Sequence, residues 1–316
     1  MLVLGDVILD EYLIGKATRM SREAPVPVLE FEARKLIPGG AANPAANIAA
    51  LGSTALQVGV IGSDAEGTAL RQVLQSIGIE TNTLVVDAGR TTTVKTRVMA
   101  QMGLRFPQQV ARLDRLSREP HSEDTDRQVR AFVQEQMRQA DAALLSDYHV
   151  SLLTPALVDS VRALARRDML LAADAQGDLD KYTGFGLVKC NADEARFYLR
   201  RALPDDAAFA DAARELCQRL RLTRAMIITR GADGATVAEC DGTVTHCPSP
   251  AVTDVYDTVG AGDTAVAVLT LAALAGATPA EAALLSNYAS GVVVRRVGNY
   301  TPTPGELSQA ISGGLS

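Results

Sequence analysis

Short apolar runs alternate with longer amphipathic stretches along most of the chain. Met1 to Leu9 is an apolar run that ends in a polar turn, which predicts a strand buried on both faces of a parallel sheet. A helix is predicted from about Ala41 to Leu51, a strand near Leu56 to Val60, and a helix from Ala65 to Ser76 after an Asp64 cap. Strand and helix periods therefore follow each other from the first residues onward.

The same alternation continues through the rest of the chain. The further predicted elements are a polar helix at 124–139, a strand ending at Asp147, a helix at 154–166, a strand ending at Asp174, a strand at 225–229, a hairpin of strands at 235–239 and 243–247, and Ala-rich helices that begin near Gly262 and Pro279. This spacing predicts an α/β fold with a doubly wound parallel sheet that binds ligands at the carboxyl ends of its strands. No internal repeat or low-complexity linker occurs, so residues 1–316 are predicted to form a single domain.

Two segments depart from the alternation. Residues from about 11–36 include APVPVLEFEA, an extended stretch whose prolines belong at an edge or at the entry of a strand. Residues 91–113 include TTTVKTRVMA, which is rich in β-branched residues and alternates. Together they predict a small exposed sheet that acts as a lid. Its apolar residues, such as Val26, Val28 and Phe31, favour a homodimer through the lid.

Composition and charge exclude several classes of protein. The 31 Lys and Arg stand against 37 Asp and Glu, a net charge of -6, so no broad basic field favours a nucleic-acid partner. The four cysteines show no C-x-x-C spacing and, with three scattered histidines, make no zinc pattern, so reduced and mostly buried thiols are expected. No basic stretch precedes the first apolar run, and Ala265 to Ala275 is too short to span a bilayer. A cytoplasmic protein without a membrane partner is expected.

The most informative polar segment is Asp257-Thr-Val-Gly-Ala-Gly-Asp263, at the start of a predicted helix. Small residues at 260–262 let the backbone approach a ligand, and free N–H groups at a helix start bind anions. Asp263, in the first turn, is placed to accept a proton from an attacking hydroxyl, as phosphoryl transfer requires. On spacing alone, an ordinary Gly-rich turn capped by Asp is an equal alternative.

Four further segments fall at predicted strand ends or helix starts. The glycines of Pro38-Gly-Gly-Ala-Ala-Asn43 put bare backbone beside a ligand, and its Asn suits sugar hydroxyls, although a tight turn has the same pattern. Asp10 is a candidate to accept hydrogen bonds from sugar hydroxyls; the alternative is a solvated carboxylate in a turn. Asn191-Ala-Asp-Glu194 follows a predicted strand, GLVKC, and begins a predicted helix; it offers a carboxylate for Mg²⁺ near ATP phosphates, or simple helix capping. Thr229-Arg-Gly-Ala-Asp-Gly234 suits a nucleotide or a hairpin turn without any ligand.

In this order the segments resemble the ribokinase and phosphofructokinase-B family of carbohydrate kinases across nearly the whole chain. Gly39-Gly40-Ala-Ala-Asn43, continuing through Gly52 to Gly62, resembles the family's first signature. Asp257 to Asp263 resembles its second signature, which is highly specific. The resemblance implies a ribokinase-like fold with a small β-sheet lid and an ATP-dependent carbohydrate kinase. Its ligands would be ATP, Mg²⁺ and a small sugar or sugar phosphate.

The resemblance also implies roles for individual residues. Asp263 would be the catalytic base, and the anion hole would consist of Gly260, Ala261 and Gly262. The nucleotide and its phosphates would lie against Asn191, Ala192, Asp193, Glu194, Thr229, Gly231 and Gly234, with Glu194 holding Mg²⁺ through water. The sugar would lie against Asp10, Gly39, Gly40, Asn43, Lys95, Arg97 and Arg112. Asp257 and the backbone around Val259 sit where some relatives hold a potassium ion, K⁺.

Within the family the chain is most similar to the heptose-phosphate kinase subfamily, the kinase part of ADP-heptose synthase, which phosphorylates D-glycero-D-manno-heptose 7-phosphate at C1. The segments that carry this likeness are Gly5–Asp10, Arg19–Val28, Pro38–Asn43, Lys95 with Arg97, Arg112–Asp114, Leu145–Tyr148, Val255–Asp257 and Gly291–Val294. Several of them lie in the lid and substrate regions, where subfamilies differ.

Three departures from the subfamily concern charge and backbone. The subfamily usually has Lys-Gly after Ser-Asp-Tyr-x, whereas here Val150 and Ser151 follow His149. Gln176 stands where a Lys is usual, and Lys189-Cys190 stands where Thr-Pro usually precedes the Asn-x-x-Glu motif. Losing two cations weakens recognition of a sugar phosphate, because phosphate binding depends on Lys and Arg. The cations that could compensate are Arg19, Arg22, Lys95, Arg97, Arg105 and Arg112.

Other functions therefore stay open alongside the heptose-phosphate kinase. The missing lysines favour a kinase of a neutral sugar or a nucleoside. A non-catalytic sugar or nucleotide sensor on the same fold is opposed by the intact Asp263 and the Asn191-x-x-Glu194 spacing. A dinucleotide-dependent oxidoreductase is disfavoured, because no G-x-G-x-x-G follows the first strand.

Overall fold

The computed structural model describes residues 1–103, 107–252 and 254–313, so Arg105 lies outside the described residues. In chain order the strands are β1 (Leu2–Gly5), β2 (Val7–Met20), β3 (Pro27–Gly40), β4 (Leu56–Gly62), β5 (Leu84–Asp87), β6 (Val94–Gln101), β7 (Gln108–Arg115), β8 (Ala142–Asp147), β9 (Leu170–Ala175), β10 (Leu187–Asn191), β11 (Ala225–Thr229), β12 (Ala235–Glu239) and β13 (Val244–Cys247). The helices are α1 (Ala42–Ala50), α2 (Ala65–Ser76), α3 (Glu123–Met137), α4 (Pro155–Leu164), α5 (Ala192–Leu199), α6 (Asp206–Arg219), α7 (Ala261–Leu274), α8 (Pro279–Val293) and α9 (Pro304–Gly313).

The main sheet has the strand order β13-β12-β11-β10-β9-β8-β1-β4-β5. The strands from β5 across to β11 pair in parallel, whereas β12 and β13 are antiparallel, as the predicted hairpin requires. From β1 the chain builds one side of the sheet and then returns to build the other from β8. The prediction of a doubly wound sheet is confirmed, and its strand order reverses between β1 and β8. Ligands of such sheets bind at the carboxyl ends of the strands beside this reversal.

Helices cover both faces of the main sheet. Leu2 and Leu4 of β1 pack into a hydrophobic cluster with α3, α4 and α6, whereas Val3 packs into a second cluster with α1, α2, α7 and α8. Successive side chains of a strand face opposite sides of its sheet. The continuous apolar run therefore marks a strand that is buried on both faces, as predicted.

A second, smaller sheet has the order β3-β2-β6-β7. β2 pairs antiparallel with β3 over their whole length, from Val7 opposite Gly40 to Met20 opposite Pro27, and it pairs in parallel with β6. The predicted strand entry at the proline is thus observed. One face of this sheet carries exposed apolar side chains, with Phe31 71% and Leu113 70% exposed.

The prediction of a single strand over residues 1–9 is wrong. β1 ends at Gly5, and after Asp6 the chain enters β2 of the small sheet at Val7. At this junction Asp6 N donates to Ser146 O at 3.3 Å, and Ala41 N donates to Asp6 O at 2.9 Å. Both strands are buried here, so hydrophobicity gives no sign of the break. Asp10 consequently lies within β2 and not at the end of the first strand.

Three elements lie outside the predicted pattern: β5, α6 and α9. α9 carries a clear signal in its first turn, where Thr303 N donates to Glu306 Oε2 at 2.9 Å and Glu306 N donates to Thr303 Oγ1 at 3.2 Å. The Thr-x-x-Glu spacing of such a capping box marks helix starts in sequences. α6 is likewise capped by Asp205, which accepts from Ala208 N at 2.9 Å.

The cysteines agree with the expectation of mostly buried thiols. Cys190, Cys217 and Cys247 are buried and unbridged, and Cys240 is exposed. Within the described part of the chain, no helix combines the length and apolar character needed to cross a membrane. In the same residues, no three His, Cys, Asp or Glu side chains are grouped so as to hold a metal ion.

Candidate active site

Asp263 lies in the first turn of α7, where two side chains from other elements hold its carboxylate. Tyr148, which follows β8, donates its hydroxyl to Asp263 Oδ1 at 2.6 Å, and Asn43 Nδ2 of α1 donates to Asp263 Oδ2 at 2.8 Å. Asn43 is oriented in turn, since Asn47 Nδ2 donates to its Oδ1 at 3.1 Å. Asp263 is 6% exposed, so the position and orientation of its carboxylate are fixed by packing and by both hydrogen bonds.

The surroundings shift the acidity of Asp263. Burial, and next the nearby Asp174 charge, raise the pKa of Asp263 to about 7, while Tyr148, Asn43 and Lys189 act in the opposite direction. A carboxyl group with this pKa changes its protonation state near neutral pH. Such a group can take up a proton during a reaction, which is the property of a general base.

The segment before Asp263 forms the amino end of α7. Gly260 is its N-cap with φ +82°, and a Cβ there would lie 2.8 Å from Asn299 Oδ1 and 2.9 Å from Asn43 Nδ2. Only glycine fits this backbone conformation and this spacing. Among the described residues no side chain caps α7. The first-turn amides of this 14-residue helix are therefore a place where an anion can bind.

A buried cation lies beside this helix end. Lys189 Nζ of β10 donates to Asp174 Oδ1 at 2.8 Å and Oδ2 at 2.9 Å, and it would lie 3.2 Å from a Cβ on Gly262. Burial opposes its charge, but Asp174 outweighs that effect and raises the pKa of Lys189 above its ordinary value. Lys189, which the sequence presented only as a departure, therefore stays an ammonium group close to the predicted anion hole.

Asn191 and Glu194 form a capping box at the start of α5. Glu194 N donates to Asn191 Oδ1 at 2.9 Å, and Asn191 N donates to Glu194 Oε2 at 2.6 Å, so the capping alternative describes their contacts. Burial raises the pKa of Glu194. A single carboxylate with one oxygen outside the capping box fits Mg²⁺, which commonly binds one or two carboxylates together with phosphates and water.

The predicted nucleotide residues lie at neighbouring strand ends. Asn191 pairs with Thr229 across β10 and β11, so the two segments share one edge of the main sheet. Gly231 lies in the 3-10 turn Gly231–Asp233, and Gly234 directly precedes β12. Ala192 and Asp193 begin α5 beside them. The structure thus brings these predicted residues together.

The predicted sugar residues meet where the small sheet joins the main body. Asp10 Oδ1 accepts from Arg97 Nη1 at 2.6 Å, and Asp10 Oδ2 accepts from Asn299 Nδ2 at 2.5 Å. Gly39 passes so close to Asp10 that a Cβ would overlap the carboxylate, and Gly40 follows it at the end of β3. Because Arg97 is buried and bound to Asp10, it orients that carboxylate.

Two other predicted sugar-binding cations differ in position. Lys95 pairs with Asp10 across β2 and β6, and its Nζ lies 4.7 Å from the centre of the Tyr148 ring. Arg112 lies one strand further out and is bonded to Asp114 at 2.9 and 3.0 Å, with half of its side chain exposed. Lys95 therefore lies beside Tyr148, the partner of Asp263, whereas the contacts of Arg112 are with Asp114.

Asp257, the predicted monovalent-cation residue, links two backbone segments. Its Oδ1 accepts from Val259 N at 3.0 Å and its Oδ2 from Gly298 N at 2.9 Å. The main chain at Tyr256 and Asp257 also donates to Val294 O, at 2.8 and 3.2 Å. Asp257 therefore ties the segment before α7 to the residues after α8, and its role as a ligand of a potassium ion stays a prediction.

Three residues of the site were missed by the sequence analysis: Tyr148, Lys189 and Asn299. Tyr148 directly follows β8, so the rule that ligands meet strand ends could have singled it out. Asn299 gives no such signal, because it lies in a loop without periodicity. Its Oδ1 is closed off from solvent and accepts no hydrogen bond from the described residues.

The fold and this arrangement agree with the comparisons to known proteins. The chain matches the pfkB family of carbohydrate kinases over residues 1–305. It belongs to that family, and it is therefore an ATP-dependent carbohydrate kinase. Both the predicted family and the predicted class of enzyme are confirmed.

Particular relatives refine the comparison. The chain is 39% identical over 308 residues to the bifunctional protein HldE of Geobacter metallireducens, covering 97% of this chain and 61% of that protein. It is 38% identical over 317 residues to the bifunctional protein HldE of Caulobacter vibrioides, covering 99% of this chain and 63% of the relative. The chain thus spans about three fifths of the length of these curated relatives.

Solved structures share the fold at lower identity. Phosphofructokinase-2 from Escherichia coli, in complex with substrates and products, gives a TM-score of 0.77 at 20% identity and covers 98% of each chain. Ribokinase from Arabidopsis thaliana, complexed with ribose and ATP, gives a TM-score of 0.74 at 17% identity, also over 98% of each chain. The predicted ribokinase-like fold is confirmed.

Proposed function

We propose that the protein transfers the γ-phosphoryl group of ATP to the C1 hydroxyl of D-glycero-D-manno-heptose 7-phosphate. The observation that carries the proposal is the environment of Asp263, a buried carboxyl group with a pKa of about 7 that Tyr148 and Asn43 hold at the start of α7. Family membership supports the class of reaction. The subfamily segments and the 39% identity to a protein named HldE support the heptose phosphate.

In the proposed reaction Asp263 accepts the proton of the C1 hydroxyl while the C1 oxygen attacks the γ-phosphorus of ATP. The new oxygen–phosphorus bond forms as the bond from the γ-phosphorus to the β–γ bridging oxygen breaks. ADP leaves with that electron pair. The amides at Gly260, Ala261 and Gly262 stabilise the negative charge of the transferring group, because fixed dipoles aimed at developing charge act strongly in a site closed to water.

The nucleotide would lie along the edge formed by Asn191, Thr229, Gly231 and Gly234. Glu194 would hold Mg²⁺ through water beside the ATP phosphates, and Mg²⁺ when bound neutralises part of their charge. Asp257, with the backbone around Val259, would hold K⁺ before the amino end of α7. These assignments rest on the family pattern and on the positions of the side chains.

Lys189 is the candidate for the cation of the subfamily pattern that this chain lacks at Gln176. Position 176 lies two residues after Asp174, and Lys189 forms its ion pair with that same aspartate from the neighbouring strand. We infer that Lys189 takes the place of the lysine missing at position 176. We propose that Lys189 stabilises the migrating phosphoryl group. Lys95, which lies by Tyr148, is the candidate that neutralises part of the sugar phosphate.

The assignment of the base is tested by Asp263→Asn. The variant keeps the shape of the side chain but removes the proton acceptor, so phosphorylation is expected to fall by roughly 10²–10⁴-fold while ATP binding persists. Turnover is measured by ADP release and nucleotide affinity by calorimetry. Asp211→Asn, an exposed carboxylate of α6 paired with Arg214, is the matched control and should retain activity. Undiminished turnover of Asp263→Asn would contradict the proposed base.

A second candidate function is a kinase of a neutral sugar or a nucleoside, which Gln176 and Val150 favour because they stand where lysines are usual. ADP release is measured with heptose 7-phosphate, fructose, fructose phosphates, ribose and nucleosides. The heptose-phosphate proposal requires that neutral sugars be poor substrates. Fast turnover of ribose, fructose or a nucleoside selects the second candidate, and stimulation by none of them favours a sensor.

We also propose that the small sheet serves as a lid over the sugar and as the contact surface of a homodimer. Its exposed Phe31 and Leu113 form an apolar face that a second copy of the chain would cover. Sedimentation equilibrium tests this assembly. A mass of one chain at all concentrations would contradict it.

A further inference from the structure

Asp6 occupies the junction between the two sheets. It is the one residue between β1 of the main sheet and β2 of the small sheet, and its side chain is buried. Its backbone oxygen accepts from Ala41 N at 2.9 Å, just before α1, the helix that carries Asn43. Asp6 therefore touches both sheets and the start of a helix that holds the proposed base.

The Asp6 carboxylate accepts hydrogen bonds from three backbone amides of one loop. Asp6 Oδ2 accepts from Tyr148 N at 2.9 Å and from Val150 N at 3.1 Å, and Asp6 Oδ1 accepts from Leu152 N at 3.2 Å. Alternate amides converge because the residues between them, His149 with φ +54° and Ser151 with φ +82°, have left-handed backbone conformations. We call residues 148–152 the Tyr148 loop.

The first residue of the Tyr148 loop contacts the proposed base. The backbone amide of Tyr148 is bound by Asp6, while its hydroxyl donates to Asp263 Oδ1 at 2.6 Å. Leu152 also packs into the hydrophobic cluster with α3 and α4, and Arg90 Nη2 donates to Val150 O at 3.3 Å. The Asp6 carboxylate, however, is the group that joins three amides of this loop. A shift of the junction between the sheets would move the loop and, through Tyr148, the hydrogen bond to Asp263.

We propose that Asp6 is a positioning residue: by holding the Tyr148 loop it keeps the Tyr148 hydroxyl on Asp263 and so links the small sheet to the catalytic base. The inference rests on the proposed role of Asp263. It assigns Asp6 no contact with either substrate. Its effect on the reaction must therefore pass through Tyr148, which makes the inference testable by combining variants.

The charges around both carboxyl groups determine what a pH profile reports. Burial, and to a lesser extent Asp147, raise the pKa of Asp6, which its three amide hydrogen bonds oppose, and the Asp6 charge also acts on Arg90. At Asp263 the neighbouring charges are Asp174 and Lys189, and the Tyr148 hydrogen bond lowers the pKa of Asp263. Loss of that hydrogen bond should therefore raise the pKa of Asp263.

The experiment compares Asp6→Asn, Tyr148→Phe and the double variant. In Asp6→Asn an NH₂ group can replace the oxygen that accepts from two amides, so the Tyr148 loop loses its anchor. Each single variant is expected to lower kcat roughly tenfold, the scale of one lost hydrogen bond, with the KM for ATP unchanged. In both, the acid limb of the kcat/KM profile should move to higher pH. The double variant should be little slower than Tyr148→Phe alone, because the two residues act on the same contact.

The control is Asp64→Asn. Asp64 also accepts from two backbone amides, Gly67 N and Thr92 N, both at 2.8 Å, but it has no contact with Tyr148 among the described residues. It should lose stability without a change in the acid limb. A full tenfold effect of Asp6→Asn in the Tyr148→Phe background, or an unmoved acid limb in the single variants, would overturn the inference. If Asp263→Asn instead keeps full turnover, it is the proposed function that fails.

A measurement on the unaltered protein covers the case in which Asp6→Asn does not fold. Hydrogen exchange of the backbone amides of Tyr148, Val150 and Leu152, followed by NMR, should be as slow as in the adjoining strand β8. Fast exchange of all three would show that the carboxylate does not hold the loop, and the inference would be wrong.

Discussion

At the scale of single residues, Asp263 combines two requirements that oppose each other. Transfer of a proton near neutral pH needs a carboxyl group with a raised pKa, which the protein achieves mainly by burial. Burial of a carboxylate, however, disfavours the folded state whenever the group is charged. The raised pKa that suits Asp263 for its proposed role as the base therefore lowers the stability of the protein.

This conflict predicts a pH-dependent stability difference between Asp263→Asn and the unaltered protein. The folded pKa of about 7 lies above the ordinary 3.8, so the protonated carboxyl favours folding fully below pH 3.8, and that contribution is lost as the pH rises to about 7. The Asn side chain stays neutral throughout. The variant should therefore gain relative stability between about pH 4 and pH 7, by up to roughly 1.4 kcal/mol per pH unit.

Urea denaturation at half-unit steps from pH 4 to pH 8 measures this difference. Asp211→Asn, whose carboxylate is exposed, should track the unaltered protein over the same range. Parallel stability curves for Asp263→Asn and the unaltered protein would show that the carboxyl group has no raised pKa.

At the scale of elements, the Tyr148 loop departs from local backbone preferences. Ser151 has φ +82°, a conformation that disfavours side chains, and it stands where the related subfamily usually has glycine. Ser151→Gly is therefore expected to stabilise the protein by about 1 kcal/mol, seen as a rise in Tm. Ser151→Ala, which also removes the hydroxyl but keeps a Cβ, separates backbone strain from side-chain loss. Equal stability of the two variants would rule out strain as the cause.

The elements show which features a sequence can predict. The start of α7, predicted near Gly262 and observed at Ala261, and the α2 cap at Asp64 were predictable, because each depends on a few consecutive residues. The break at Asp6 was not, since Leu4 and Ile8 on either side are equally buried and the two sheets differ only in what they pair with. Helix starts and caps depend on residues that are neighbours in the sequence, whereas strand pairing depends on residues far apart along the chain.

At the scale of the whole molecule, the site is assembled from segments distant in sequence. Asp10, Asn43, Tyr148 and Asp263 come from β2, α1, the Tyr148 loop and α7. A sequence could predict those that belong to family signatures. It could not show that Lys189 pairs with Asp174 or that Asn299 reaches Asp10, because both contacts follow from tertiary packing.

Asn299 contacts the face of the small sheet that carries Asp10, the proposed sugar-binding residue. Its Nδ2 donates to Asp10 Oδ2 at 2.5 Å and to Pro38 O at 2.9 Å, while its Oδ1 faces Gly260. Asn299→Ala should release Asp10 from its orientation and remove an acceptor beside the helix end. We expect the KM for sugar to rise roughly tenfold, the scale of one or two hydrogen bonds, with the KM for ATP unchanged.

The control is Arg34→Ala, which breaks an exposed ion pair with Glu11 in the same small sheet. Exposed pairs contribute little, so both KM values should stay near those of the unaltered protein. If Asn299→Ala raises the KM for ATP as much as that for sugar, the side chain supports the fold of the cleft in general. A selective rise in the KM for sugar would indicate that the sugar binds between Asp10 and the amino end of α7. Phosphoryl transfer would then depend on the contact that Asn299 makes with the small sheet.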